Sequence, residues 1–241
     1  MSIDIQTPAS LPSRYNRESM HAARIAELLE PFLGLANNGS ANDEPLTPNI
    51  LEQISTYIDI LLRWNARINL TAIRDPEEIV TRHFGESLFA ARHLFPTRAQ
   101  ATQSRVADLG SGAGFPGLAI KLWAPDIALT LIESNHKKAA FLREVTRALT
   151  LTNVNIQNVR AETIAPASFD IVTLRAVERF ASILPVAASL VTPGGHLALL
   201  LSSSQLAMAH STLKTVCWNP PISIPHSQSR QLLIGTKDHI G

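Results

Sequence analysis

Apolar positions recur along this chain with two periods, and the change between them divides it. Over residues 19–33 ("SMHAARIAELLEPFL"), Ile25, Leu28 and Leu29 fall on one helical face. Ser19 is a candidate cap and Gly34 a candidate stop. The stretch 36–45 ("ANNGSANDEP") has linker composition. Thr47-Pro48 then opens a second helix, because a proline at the first helical position lacks only an N–H that the helix does not need. Ile50, Ile54, Tyr57, Ile58, Leu61 and Leu62 keep helical spacing up to Trp64. After the turn-rich "NARINLTAIRD", Asp75-Pro76-Glu77-Glu78 supplies a cap, a proline and two acids at the positive end of a third helix. That helix carries Ile79, Val80, Phe84, Leu88 and Ala91. Trp64 and Phe84 lie on the apolar faces and are expected in the core.

From Arg105 the period changes. Short apolar runs ("RVADL", "IALTLIE", "NVNIQNV", "FDIVTLRAV", "HLALLL") alternate with helical stretches ("FPGLAIKLWA", "HKKAAFLREVTRAL", "SILPVAASLV"). Such alternation predicts a parallel sheet covered by helices on both faces. "CWNPPISI" and "RQLLIGTK" are expected to add two final strands as a hairpin. The chain therefore divides into an extension (1–45), an N-terminal helical module (46–100) and an α/β domain (101–241). Pro8 and Pro12 break any helix over residues 1–18, which are expected to form a flexible tail.

Composition narrows the class without naming an activity. The chain has 241 residues, 45% of them hydrophobic, enough for a substantial core. A formal net charge of +1 removes any global polycationic signature, so nucleic-acid binding would need local patches. Cys217 is the single cysteine, which excludes an internal disulfide and a cysteine-cluster zinc site. Neither a signal-like start nor an 18-residue apolar span is present, and a cytoplasmic protein with no membrane partner is expected.

The densest chemical signal is "VADLGSGAGFPG" (106–117), with four glycines in eight positions after an apolar strand. Gly112, Gly114 and Gly117 fit the G-x-G-x-x-G of a dinucleotide site, whereas Asp108, Gly110, Gly112 and Gly114 fit the D-x-G-x-G-x-G of an S-adenosylmethionine site. A pyrophosphate wants a helix N-terminus and no nearby acid. S-adenosylmethionine has an ammonium group, which a carboxylate at Asp108 attracts, directly or through water. Glu133 closes the second strand and is placed to accept from ribose hydroxyls, a role both ligands share. In "VRAETI" (159–164), Ala161 and Glu162 suit the edge of an adenine. Arg175 ends the fourth strand, beside the position of an acceptor substrate.

Local charge brackets this loop. Arg63 to Arg105 holds seven arginines against four acids, and Ser134 to Arg160 holds Lys137, Lys138, Arg143, Arg147 and Arg160 against Glu144 alone. Each run on its own is ordinary for a solvated helix face, but two runs flanking a cofactor loop suit a nucleic-acid rim. Arg82 and His83 are secondary candidates; a lone histidine on an apolar helix is more often structural.

Together these segments resemble the bacterial small-subunit ribosomal RNA guanine-N7 methyltransferases, the glucose-inhibited division protein B family. The specific part is "LLRWNARINLTAIRDPEEIVTRHFGESL" (61–88), and the likeness continues through "VADLGSGAGFPGLAI", "LIESNHKKAAFLREV", "VRAETI" and "FDIVTLRAV", over about residues 46–200. The resemblance implies a Rossmann-like class I methyltransferase fold with a mostly parallel seven-stranded sheet, plus the helical extension. It implies S-adenosyl-L-methionine as cofactor, donor contacts at Gly110, Phe115, Ala161, Glu162 and Arg175, and Arg160 on a positive surface facing RNA. The partner it implies is 16S ribosomal RNA or the small ribosomal subunit; a monomer is expected.

This chain departs from the family pattern in having Glu86 where an aspartate is common, in lacking a lysine after the fifth strand ("LALLLSSSQ"), and in its first 45 residues. Guanine N7 carries a free lone pair and no proton, so no general base and no metal are expected. The competing readings are a nicotinamide-dependent oxidoreductase, from Gly112, Gly114 and Gly117, and a non-catalytic RNA-binding or assembly factor, from the missing lysine.

Overall fold

The computed structural model describes residues 20–34, 46–97, 103–177 and 180–238. The proposed tail, the linker and the Ser19 cap lie outside these residues. Helix α1 (Ala22–Leu33) starts after His21 and ends at Gly34 in the left-handed conformation (φ 67°), a position that favours glycine. Helix α2 (Pro48–Asn65) is capped by the Thr47 hydroxyl, which accepts from the Ile50 N–H. The third expected helix is not uniform. A single turn, α3 (Pro76–Glu78), capped by Asp75, runs into a seven-residue π-helix (Ile79–Gly85) before α4 (Glu86–Leu94) resumes. Gly85 allows this close approach, because a Cβ there would meet the Phe32 ring of α1. A π-segment re-aims the side chains it carries, and here those include Arg82 and His83.

The α/β part follows the expected alternation. It runs β1 (Arg105–Leu109), α5 (Gly117–Trp123), β2 (Ala128–Ile132), α6 (His136–Ala148), β3 (Val154–Gln157), β4 (Phe169–Arg175), α7 (Phe180–Leu190), β5 (Val191–Ser202), α8 (Ser203–Thr212), β6 (Val216–Trp218), β7 (Ile222–Ser223) and β8 (Arg230–Lys237). The strand order is β3-β2-β1-β4-β5-β8-β6, with β7 also on β8. Strands β1 to β5 are parallel and β8 is antiparallel to β5. The sheet thus has eight strands rather than seven. Asn219-Pro220-Pro221 interrupts the penultimate strand, since proline cannot donate to a ladder, and splits it into β6 and β7, which both pair with β8.

Alternation along the central strands sends neighbouring residues to opposite faces. Val106, Leu129, Leu131 and Ile171 join α1, α2, α5 and α6 in one apolar cluster. Ala107, Leu109, Val172 and Leu174 join α7 and α8 in another. The first cluster runs without a break from Ile25 to Ile171, so the N-terminal helices and the sheet share a core. Phe84 is fully buried there, and half-buried Trp64 packs against the same cluster, edge-on to Phe141, while its Nε1 donates to Glu144 (2.9 Å). The order reverses between β1 and β4, and in an open α/β sheet such a switch point opens a crevice beyond the strand ends.

Candidate functional site

The glycine loop fills that crevice, and its shape is set from below by Asp108. The parallel register places Asp108 beside Thr173. Asp108 is 1% exposed; its Oδ1 accepts from the Thr173 hydroxyl (3.0 Å) and its Oδ2 from the Gly117 N–H (3.1 Å). Burial raises its carboxyl to about 6, opposed by those hydrogen bonds and by Arg175. A Cβ at Gly117 would strike the Asp108 side chain, so glycine is needed for the loop to close onto the strand. Each Asp108 oxygen thus already accepts from one protein donor, and Asp108 is on the wall of neither cavity described below, which places it beneath the loop.

Gly114 is held by packing from the other side. Its backbone is left-handed (φ 84°), and a Cβ would collide with the Tyr57 hydroxyl of α2 and with Leu118. Only a residue without a Cβ fits there. Tyr57 is fully buried and donates to the Ala113 carbonyl (2.6 Å), so the N-terminal helix grips the loop directly. Phe115 stacks between Tyr57 (5.2 Å between centroids) and His83 (4.9 Å).

Two cavities open beside the loop. The first, about 520 Å³, lies beyond the ends of β1 to β4 and is walled by Gly110, Glu133, Lys138, Arg160, Ala161 and Glu162 among others. Glu133 accepts from the Gly112 N–H through Oε2 (2.9 Å) and from the Asn135 N–H through Oε1 (2.7 Å). It fixes the loop while one edge remains on the cavity wall. Asn135 caps α6, accepting from the N–H groups of Lys137 and Lys138, which sets Lys138 at the cavity mouth. Ala161 and Glu162 sit on a 3-10 turn (Ala161–Thr163) with Arg160 at its start; Arg160 and Glu162 are exposed.

The second cavity, about 440 Å³, shares Gly110, Lys138 and Ala176 with the first and adds Thr71, Arg82, His83, Phe115, Arg175 and Arg230. Arg175 lines this cavity, together with Gly110, Gly112 and Phe115 of the glycine loop, and is not on the wall of the first. Its side chain is 7% exposed. Nη1 donates to His83 Nδ1 (2.9 Å), and Nη2 donates to the Arg82 carbonyl (2.6 Å) and to Glu86 (3.1 Å). Because His83 Nδ1 accepts, its proton sits on Nε2, which donates to the Thr71 hydroxyl (2.8 Å). Burial, then Arg175, Arg230 and Arg82, depresses this imidazole to about 3. His83 is thus a neutral spacer between an arginine and a loop. Arg143 lies on the exposed face of α6 and lines neither cavity.

Several residues at the site escaped the sequence reading. Asn65 accepts from the Leu70 and Thr71 N–H groups and donates to the Thr71 carbonyl, closing the loop that meets His83. Arg230, on β8, reaches Glu86 (2.8 Å) across 144 residues of chain. Glu86 was visible only as an unusual residue in a motif. Thr173 had no sequence signal at all. The fifth strand ends in serine, as the sequence shows, and Ser202 lies in register with Arg230, so the next strand brings a cation to that end of the sheet.

Comparison with known proteins is consistent with this geometry. A family model, GidB (rRNA small subunit methyltransferase G), matches residues 50–230. A "Ribosomal RNA small subunit methyltransferase G" of Xanthomonas campestris pv. campestris (strain B100) is 38% identical over 170 residues, covering 70% of this chain and 77% of the relative. A protein of the same name from Xylella fastidiosa (strain 9a5c) is 46% identical over 142 residues, 58% of this chain and 60% of the relative. Among solved structures, the ribosomal protein L11 methylase of Lactobacillus delbrueckii subsp. bulgaricus superposes with a TM-score of 0.54 at 15% identity, over 66% of this chain and 79% of that one. That likeness establishes the methyltransferase fold. Neither the nicotinamide reading nor the non-catalytic one finds support in these matches.

Proposed function

Because the chain belongs to the GidB family, rRNA small subunit methyltransferase G, we propose that it transfers the methyl group of S-adenosylmethionine to N7 of a guanine in 16S ribosomal RNA. One observation carries the reading beyond the family match. A cavity whose wall holds the carboxylates Glu133 and Glu162 meets, at Gly110, a cavity lined by arginines. The first suits a nucleoside without phosphates: Glu133 for the ribose, Ala161 and Glu162 for the adenine. When bound, the cofactor supplies an electrophilic methyl group on a sulfonium.

The chain's own residues then have to bind, orient and exclude water. N7 needs no proton removed, and His83, neutral and hydrogen-bonded on both nitrogens, takes no part as a base. The methylated guanine carries a positive charge, which an arginine against N7 would oppose. Arg175 is tied back by His83, the Arg82 carbonyl and Glu86 and leaves that position clear. Helices of the 46–100 module act as a brace, with Tyr57 holding the glycine loop. Arg160 and Lys138 face the RNA at the mouth of the donor cavity. The protein acts as a monomer on the small subunit, in the cytoplasm; among the described residues no helix is long and apolar enough to cross a membrane.

The test is incubation of the protein with labelled donor and small subunits, partly assembled particles or naked 16S RNA, followed by mass mapping of the RNA. Label at one guanine N7 is expected. Absence of transfer to all three substrates overturns the reading.

A further inference from the structure

We propose that Glu86 gathers Arg82, Arg175 and Arg230 into one cradle that takes a backbone phosphate of the RNA beside the target guanine. The inference rests on the RNA-methyltransferase reading above and adds a subsite to it. Glu86 is 1% exposed at the first turn of α4. Its Oε1 accepts from Arg82 Nε (3.1 Å), and its Oε2 accepts from Arg175 Nη2 (3.1 Å) and Arg230 Nη1 (2.8 Å). The three arginines come from the π-helix, β4 and β8, so only the folded chain brings them together.

One carboxylate cannot neutralise three guanidiniums. Glu78 adds a looser, exposed pairing with Arg82 at 3.7 Å, and Lys138 adds a further cation across the cavity. No acid lines that cavity among the described residues. Concentrating like charges in a partly dry pocket is unfavourable unless an anion completes the set. A guanidinium has five N–H donors in a plane; Arg82 and Arg230 each give Glu86 one, so several remain for a second acceptor, whereas Arg175 has three engaged by His83, the Arg82 carbonyl and Glu86. Arg175 Nε is buried with no hydrogen-bond partner among the described residues. A buried donor left unmet is costly. Forked donors match the oxygens of a phosphodiester. Arg82 and Arg230 keep 39% and 29% of their side chains exposed, which opens the cradle toward a macromolecule, while buried Arg175 forms its floor.

The competing anion is the carboxylate of the donor itself, and the test separates the two. Arg230→Gln, Glu86→Gln and Glu86→Asp would be compared with the wild type. Binding to small subunits would be followed across a salt series, with S-adenosylhomocysteine affinity by calorimetry and steady-state methylation in parallel. Arg230→Gln is expected to reduce the slope of log affinity against log salt by about one and to raise the KM for subunits about tenfold. Its kcat and S-adenosylhomocysteine affinity are expected to stay within about threefold, on the scale where tenfold is 1.4 kcal/mol. Glu86→Gln is expected to weaken subunit binding, with Glu86→Asp restoring part of it.

An unchanged salt slope in Arg230→Gln overturns the cradle. Loss of S-adenosylhomocysteine binding in the same variant also overturns it, because the arginines would then serve the donor carboxylate. If Glu86→Gln fails to fold, Arg230→Gln still decides. If the wild type methylates nothing, the functional reading fails while the salt slope still judges the cradle.

Discussion

The two cavities that meet at Gly110 are built by opposite means. On the side proposed for the donor, carboxylates hold backbone: Asp108 holds Gly117, and Glu133 holds Gly112 and Asn135. On the other side, a carboxylate holds side chains, and Glu86 gathers three arginines from distant elements. Backbone fixed by short local bonds gives a pocket of set shape, suited to one small molecule. Long side chains converging on a buried hub give charge and reach, suited to a polymer. Asp108 and Glu86 are equally buried (1% exposed each), yet one shapes a loop and the other aims cations.

Removing Asp108 gives the largest effect expected from this contrast. In Asp108→Ala the Gly117 N–H loses its acceptor in a dry site while the Thr173 hydroxyl keeps only the Ala107 carbonyl (3.2 Å), at a cost of about 2 kcal/mol. The loop should loosen, and S-adenosylhomocysteine affinity should fall at least about a hundredfold, on the scale where that is some 2.7 kcal/mol. Calorimetry alongside urea unfolding checks both. Donor affinity near wild type would mean that Asp108 does not set the loop. Glu133→Gln is milder. Its amide would turn a donor toward either the Gly112 or the Asn135 N–H, and donor affinity should fall ten- to thirtyfold, about 2 kcal/mol. RNA binding should be unchanged. A matching loss of RNA affinity would show that the two cavities are not independent.

The same contrast explains what the sequence disclosed. The donor side was legible because its contacts are local. A strand, a glycine turn and a helix start lie within 12 residues, and the first two strands end on their own candidates, Asp108 and Glu133. Even so, pattern alone does not say how Asp108 and Gly114 are held. Only the structure shows one beneath the loop and the other against Tyr57, since burial and the approach of α2 are tertiary facts. The arginine side was nearly illegible. Arg230 lies 144 residues from Glu86, on a strand whose place beside β5 no periodicity states. The π-helix was hidden as well, because the apolar spacing of residues 79–91 is compatible with an α-helix throughout. In the 61–88 signature, Trp64, Asn65, Thr71, Arg82, His83 and Glu86 are spaced unevenly, yet each makes a tertiary or loop-closing bond.

His83 allows the smallest and most selective break of the comparison, because it is the one neutral titratable group among the arginines. Its folded pKa, about 3, lies below the ordinary 6.5. Between pH 6.5 and 5 the unfolded chain takes up a proton there and the folded chain does not, so acid favours unfolding through this residue. The contribution lost over that interval is about 1.5 kcal/mol. Asp108 works in the other direction. Its folded pKa is raised to about 6, so the folded chain takes up its proton first and acid favours folding through that group. The wild-type curve is therefore shallow over this interval, and its slope alone says little. His83→Asn removes one of the two terms. Its side-chain oxygen can still accept from Arg175, and the lost stacking on Phe115 does not depend on pH. Urea unfolding at pH 6.5 and 5.0 should show the stability advantage of wild type over variant shrinking by about 1.5 kcal/mol on acidification. Parallel curves would mean that His83 is charged in the fold. Arg175 could not then donate to Nδ1, and the arginine side would have to be held together by Glu86 alone.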